Sequence, residues 1–557
     1  MRLHFASVVG VLWIPVAALV ASGCTGDDVP LCMGPTCSPA GGGTGEATPA
    51  AGFELTASGA APIALVQGAS VEVDVTVTRS GFDGPITATA AGLPAGVAAS
   101  SLVIPAGATS AKLSLSALAN AVQGTTPITV TASDADGKFR RQRPASLLVR
   151  GAAGAVDTTF GKAGTARASI GTTGIVVRGI ASQADGRLLV GGQSENDVVV
   201  ARLGADGALD TTYGAQGKIT GDLRIGGASA PDLAESIAVA PDGNAVLAGY
   251  TVNPGSIYAV ARFTPKGALD TTFDNQGYVT TTVTPQPLTP FVGDFLALAV
   301  TVQSDGKPVF CGGALEMGTG IHSVVVARIK SNGALDDTFG NGDSGFFYRH
   351  AYQGAPSSDD TCHAVAIAPG DKIVAAGTSE QGGKRFFVSR LDKGGKIDPS
   401  FGSGGFTQIA FPKDATAQAV HVLPDGRVLV VGDSDSSIVV ARLDANGILD
   451  TSYGGTGKIV VDVGVPIVAG TARSVLDSAG CIVVSASTGA DGDIVVARVL
   501  DKGVIDASFG TAGHVTTKLG APGVGENVRI ALQPDGRIVV ATNLKAPLDL
   551  VAFRFWN

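Results

Sequence analysis

One arginine, one aspartate and one aromatic residue return together along most of this chain, and that recurrence limits its fold more than any other feature. The aspartates are Asp157, Asp210, Asp270, Asp336, Asp398, Asp450 and Asp506, 52 to 66 residues apart. Three positions after each stands an aromatic: Phe160, Tyr213, Phe273, Phe339, Phe401, Tyr453 and Phe509. The arginines are Arg202, Arg262, Arg328, Arg390, Arg442, Arg498 and Arg554. A fixed repeat of this length identifies a repeat architecture. Each unit reads as four short strands, in the first unit Thr165 to Ile170, Val177 to Ala184, Arg187 to Gln193 and Asp197 to Leu203. An Asp-Gly pair such as Asp185-Gly186 joins the middle two, a hairpin signal in which both residues accept positive φ. Asp242-Gly243, Asp305-Gly306, Asp425-Gly426 and Asp535-Gly536 repeat it, whereas unit four has Gly370-Asp371 and unit six Asp477 to Gly480. Four strands per fifty-odd residues is a propeller blade. Residues 151–557 are therefore expected to form a seven-bladed β-propeller in an all-β protein.

The pattern "LDTTFG", "DGRLLVGG" and "VVVARL" resembles the bacterial delta-sixty repeat family over about 400 residues. The resemblance implies a propeller-like scaffold and carries no shared reaction. Units three, four and six depart from its pattern.

In six units the arginine precedes the aspartate by eight residues across a glycine turn: Arg202 and Asp210, Arg262 and Asp270, Arg328 and Asp336, Arg390 and Asp398, Arg442 and Asp450, Arg498 and Asp506. A chain folding back at the turn would bring each pair together as a charge-assisted hydrogen bond, with the aromatic packed between neighbouring blades. The alternative is a ring of ligand-binding arginines. Arg554 lacks a downstream aspartate and Asp157 lacks an upstream arginine, so ring closure is expected to pair these two, with the two ends of the array side by side.

The N-terminal segment reads as an address. Residues 1–23 combine Arg2, an apolar run and small residues, the pattern of an export signal. "VASGC", Val20 to Cys24, resembles the lipobox of bacterial lipoproteins, with Ala21 where that family more often has Leu. The resemblance implies lipidation at Cys24 and a membrane partner through the lipid anchor. Thr25 in place of Asp implies outer-membrane delivery in a host with two membranes. Residues 24–50 form a flexible tether of small residues, in which Cys32 and Cys37 invite a disulfide in an oxidising compartment. Cys311, Cys362 and Cys481 read as buried free thiols or a disulfide.

Residues 51–150 alternate apolar and polar positions, as in "SVEVDVTVTR" from Ser70 to Arg79, with turns about every ten residues. A β-sandwich of about seven strands is expected. "GLPAGVAAS", Gly92 to Ser100, resembles bacterial immunoglobulin-like surface modules. The expected role is a spacer.

Composition bears on partners. The net charge is −9, aromatics are 5% of residues, and no basic face is visible, which argues against nucleic acid. The mean hydropathy of +0.31 reflects half-buried strands, since the only long apolar run is N-terminal. No catalytic constellation, cofactor fingerprint or metal-ligand cluster appears. His4, His322, His350, His363, His421 and His514 have no ligand spacing. The acidic loops Ser194 to Asp197, Asp433 to Ser437 and Ala490 to Asp493 read as hairpin tips, with calcium as the alternative. Phe346, Phe347, Tyr348, Arg349, His350 and Tyr352 concentrate aromatic and charged groups in a chain otherwise poor in aromatics. They read as an outer strand and loop, or as a recognition surface. The function expected is a binding or scaffolding protein of the cell envelope, periplasmic or surface-exposed, taking a protein or glycan partner. A propeller hydrolase or lyase acting on an extracellular polymer or lactone is the alternative.

Overall fold

Runs such as Val198 to Leu203 are buried at every position rather than at alternate ones. A strand reads that way when both faces of its sheet are covered, and the computed structural model shows what covers them. It describes residues 51–557 except 58–60, 171–173, 222–230, 253–255, 282–293, 317–319, 341–344, 350–357, 381, 490–491, 520–526 and 545–548. The segments expected to be an export signal and a tether, with Cys24, Cys32 and Cys37, lie outside the described residues.

From Thr165 onward the described strands form seven four-stranded antiparallel sheets. Each shares an apolar layer with the next. Leu189, Val198 and Val200 of the first sheet pack with Leu247, Ala259 and Phe263 of the second. The layers continue around the array until Leu188, Val190 and Val199 of the first sheet meet Val539, Leu550 and Ala552 of the last. The first strands of consecutive sheets also touch in a closed cycle, Val176–Ser182 meeting Arg529–Leu532. The array is an all-β, propeller-like ring.

One strand sits differently from the sequence reading. Thr165–Ala168 does not open the first sheet. It pairs antiparallel with Leu550–Phe555, Ala166 opposite Ala552, and forms the outer edge of the last sheet. The first sheet consists of Val176–Ser182, Leu188–Ser194, Asp197–Leu203 and Lys218–Gly221. The sequence unit and the sheet are thus out of phase by one strand. The first described strand of the array thereby completes the last sheet, and Leu550–Phe555 is paired on both sides instead of presenting an edge.

The hairpin turns differ in detail as well. At Asp185-Gly186 only the glycine has positive φ, 82°, with the Gly186 amide donating to the Gln183 carbonyl at 2.9 Å. This is a three-residue loop closed by a left-handed glycine rather than a two-residue turn. Two consecutive positive φ values occur at Gly370-Asp371, 78° and 59°, within the three-residue connection Pro369–Asp371.

Residues 52–150 form two sheets around a common core. One holds Gly52–Ala57, Ser70–Ser80, Ser110–Ala117 and Val97–Ala99. The other holds Ile63–Val66, Arg140–Arg150, Gly124–Ser133, Ile86–Ala91 and Leu102–Ile104. The nine described strands exceed the seven expected because the segment around Gly92 to Ser100 and the one after it supply two very short strands. Gln123 ties this sandwich to the ring. Its Oε1 accepts from the Thr158 amide at 2.9 Å and from Trp556 Nε1 at 3.2 Å.

Candidate functional site

The repeated residues build joints between sheets. Arg202 Nε donates to Asp210 Oδ2 at 2.8 Å, and the other five intra-unit pairs meet at 2.6–2.8 Å. Arg554 Nε lies 2.8 Å from Asp157 Oδ2. Each aspartate also caps its own turn: the Thr212 amide and hydroxyl both donate to Asp210 Oδ1, at 3.1 and 2.6 Å. The arginine then reaches forward, with Arg202 Nη1 on the Pro265 carbonyl at 2.6 Å and Arg390 Nη1 on that of Ala445 at 2.6 Å. Its guanidinium carbon lies 4.5 Å from the Tyr213 ring centre, and the corresponding distance for Arg390 and Phe401 is 4.6 Å. The next unit's turn glycine closes the stack. Gly395, at φ 81°, lies where a Cβ would stand 2.5 Å from the Phe339 ring. Burial pushes the carboxyls of Asp210, Asp270, Asp336 and Asp506 up, but the hydroxyl and amide of the following Thr or Ser, together with the arginine, hold them below their ordinary value. These arginines spend their donors on scaffold, in short charge-assisted bonds.

The described aromatic residues of the segment Phe346 to Tyr352 do not form the exposed patch that a recognition surface requires. Phe346 and Phe347 are 3% and 1% exposed. Successive strand residues face opposite ways, so Phe346 fills the layer between the second and third sheets and Phe347 the layer between the third and fourth. Tyr348 packs beside Phe346, half-buried. Arg349 ends the strand Phe346–Arg349, while His350 and Tyr352 lie outside the described residues. The acidic loops join the second and third strands of the first, fifth and sixth sheets. Among the described residues no three His, Cys, Asp or Glu side chains are grouped as metal ligands. Cys311 and Cys362 form a disulfide that ties the third sheet to the fourth, and Cys481 is a free thiol.

The site that the repeat pattern concealed lies where the seven first strands converge. They enclose a funnel of about 290 Å³. One equivalent position in each strand varies from sheet to sheet: Arg178, Glu235, Leu298, His363, Gln418, Arg473 and Arg529. In the first five sheets that residue is the extra one of a β-bulge, for example between Val177 and Gly179. A bulge leaves its residue outside the ladder and re-aims its side chain, here into the funnel. Arg473 and Arg529 begin their own strands. A small or aliphatic residue follows in every unit because neighbouring strands approach closely. A Cβ on Gly179 would stand 2.8 Å from Ile237 Cγ2.

The ring is electrostatically uneven. Three guanidiniums face one carboxylate, and Arg178 Nη1 stands 3.7 Å from Glu235 Oε2. Arg473 Nη1 donates to the carbonyls of Ala472 and Gly470 at 2.7 and 2.9 Å and meets Gln418 Oε1 at 3.2 Å. Arg529 Nε donates to the Arg178 carbonyl, and its Nη1 to that of Val528 at 2.9 Å. Burial lowers Arg473 to about 10, against the pull of Asp433 and Glu235, while Arg178 lowers it further. Burial lowers Arg529 as well, and the Arg473 charge adds to it. A guanidinium keeps its proton in proteins, so both are cations at neutral pH. Burial also pushes His363 down to about 4, although its Nδ1 donates to the Ala417 carbonyl at 3.0 Å. The neutral ring therefore turns Nε2 out as an acceptor. None of these residues carries a motif. The available signal was the column itself, one position varying among units whose flanking residues stay small or aliphatic.

Four segments, residues 183–213, 240–273, 370–401 and 423–453, match the family model described as a domain of unknown function (DUF5122) beta-propeller. Fold and family match together define a β-propeller-like repeat protein. No curated protein matches the chain. Among solved structures, a protein from Lactobacillus plantarum is similar at 13% identity, over 72% of this chain and 94% of that one, with a TM-score of 0.37. The apo prolyl oligopeptidase B from Galerina marginata is similar at 8% identity over 75% and 54%, with a TM-score of 0.34. The exo-beta-1,3-galactanase 1,3Gal43A from Clostridium thermocellum is similar at 12% over 69% and 84%, with a TM-score of 0.28. The chain spans about half the length of the prolyl oligopeptidases it matches.

Proposed function

We propose that this chain is a binding protein of the bacterial cell envelope: a seven-bladed β-propeller whose ligand site is the central funnel. An immunoglobulin-like module, residues 51–150, spaces it from a lipid anchor at Cys24. The observation that carries the reading is the contrast between two sets of equivalent positions. The joints repeat the same arginine, aspartate and aromatic in every unit, as a scaffold demands. The funnel position holds five different residue types in seven units, as one asymmetric ligand demands. Binding is preferred to catalysis because the two cations held lowest by burial, Arg473 and Arg529, are tied to backbone carbonyls. Such groups hold a ligand in place. The Cys311–Cys362 disulfide supports export, since disulfides persist in oxidising compartments.

The test is capture from envelope extract by the purified full-length protein, with Leu298→Trp as the occluded control. Ligand retained by the parent and lost by the variant supports the reading. Equal retention by both moves the binding surface away from the funnel. In cells, Cys24→Ser should shift the protein out of the membrane fraction. Unchanged membrane association, with no lipid on the native protein, rejects the anchor.

A further inference from the structure

We propose that the funnel recognises an anionic group, a carboxylate or a phosphate carried on a small ligand, held among Arg178, Arg473 and Arg529. This deepens the binding-protein reading and rests on it.

The sequence places these three arginines in units one, six and seven, and ring closure makes those units neighbours. Arg529 Nε on the Arg178 carbonyl is the direct sign of that adjacency, across the junction of the two ends. The funnel lining thus carries a net charge of plus two, three guanidiniums against Glu235, with His363 uncharged at neutral pH. Asp433, the acid nearest Arg473 electrostatically, is itself pushed up by burial and accepts from the Gly470 amide at 3.0 Å. It lies outside the funnel lining and pulls on Arg473 from there, so the excess of plus two is that of the lining itself.

The arginines are anchored without being saturated. A guanidinium offers five N–H donors in a rigid fork. Among the described residues Arg473 uses only Nη1, and Arg529 only Nε and Nη1. Arg178 Nε is enclosed by protein and has no hydrogen-bond partner among the described residues. Like charges gathered in a partly desolvated site repel one another, and an anion between them removes that repulsion while accepting the unused donors. The volume of about 290 Å³ suits a group the size of phosphate or one acidic sugar residue rather than a folded partner. Leu298 and the aliphatic residues Ile180, Ile237 and Val300 give the ligand an apolar wall.

The experiment is calorimetric titration of the full-length protein with sodium phosphate and with sodium D-glucuronate, using D-glucose as the neutral control. At least one anion should bind saturably, more weakly at high salt, and glucose should not. Preference for phosphate assigns a phosphoryl ligand, and preference for glucuronate a carboxylate. Arg473→Gln combined with Arg529→Gln should weaken binding roughly tenfold or more. Glu235→Gln should tighten it, because it removes the competing carboxylate, an effect that damage to the fold would not mimic. The assignment is overturned if neither anion binds at about 10 mM in low salt, or if Glu235→Gln and the arginine variants leave affinity unchanged. Capture of a neutral or cationic ligand that Leu298→Trp abolishes would overturn the anion assignment and leave the binding-protein reading standing. Absence of any ligand in both assays would overturn both.

Discussion

Asp157→Asn is the sharpest test of how the ring is held shut. The side chains of Asp157 and Arg554 are 0% and 3% exposed and meet at 2.8 Å. Arg537 Nε lies 3.3 Å from the same carboxylate oxygen. Asparagine keeps the shape and the acceptor for Thr159 but leaves two guanidiniums facing each other without their counter-ion. Removing one partner of a buried pair costs about 3–5 kcal/mol. Arg554 retains the Ala205 carbonyl, Gln533 Oε1 at 3.1 Å and Thr159 Oγ1 at 2.9 Å, so the cost falls at the low end. About 3 kcal/mol, spread over an unfolding entropy of about 2 cal/mol/K per residue for the repeat array, is a melting shift of about 3–4 °C. Asp210→Asn is the internal control. Its pair has the same 2.8 Å contact, but the carboxylate is 14% exposed and neighbours an Arg187 that reaches solvent, so the loss should be about half. Trp556 provides the readout: it stacks on Arg537 at 4.6 Å, next to the closing pair. Thermal melting followed by Trp556 fluorescence should rank parent, Asp210→Asn and Asp157→Asn in falling order. An Asp157→Asn melt within about 1 °C of the parent would refute the reasoning that this buried charge pair secures the closure.

Acid should destabilise the protein in two stages. His363 and His421, each held down to about 4 by burial, stay neutral in the fold while the unfolded chain protonates near 6.5, so stability falls from about pH 6.5 downward. The joint carboxyls, held below their ordinary value, add a second loss below about pH 4, as the unfolded chain takes up protons that the fold refuses. Melting temperatures across pH check both stages, and His363→Gln with His421→Gln should flatten the first. Cys311→Ala with Cys362→Ala should cost up to about 4 kcal/mol, the chain-entropy value for a closure of 51 residues, measured by urea denaturation. Deleting Leu550 to Asn557 should destabilise the whole ring rather than fray one end, because that strand pairs on both sides.

What could be read from sequence follows from where the information lies. The repeat and the places of its turns were legible because the Arg-to-Asp spacing and the Asp-Gly pairs are local, whereas the turn type was not, since only Gly186 of Asp185-Gly186 takes a positive φ. The phase of the sheets was not, since Thr165–Ala168 pairs with a strand at the other end of the chain and no local signal records that choice. Phe346 and Phe347 follow the outer-strand reading rather than the surface one, because both faces of their strand are covered by neighbouring sheets. The funnel was invisible because Arg178, Arg473 and Arg529 belong to distant units and become neighbours only when the ring closes. Cys311 and Cys362 sit in apolar strands of adjacent units, where spacing alone does not distinguish a bridge from two buried thiols.

Everything proposed about the funnel depends on that closure, and one cross-link tests it directly. Ser169 Oγ donates to Asp549 Oδ1 at 2.6 Å, just beyond the closing strands. In a Cys481→Ser background, Ser169→Cys with Asp549→Cys should form a disulfide within one molecule on mild oxidation, detected by peptide mass mapping. Both thiols remaining free in the folded protein, or a bridge only between molecules, would contradict the closed ring.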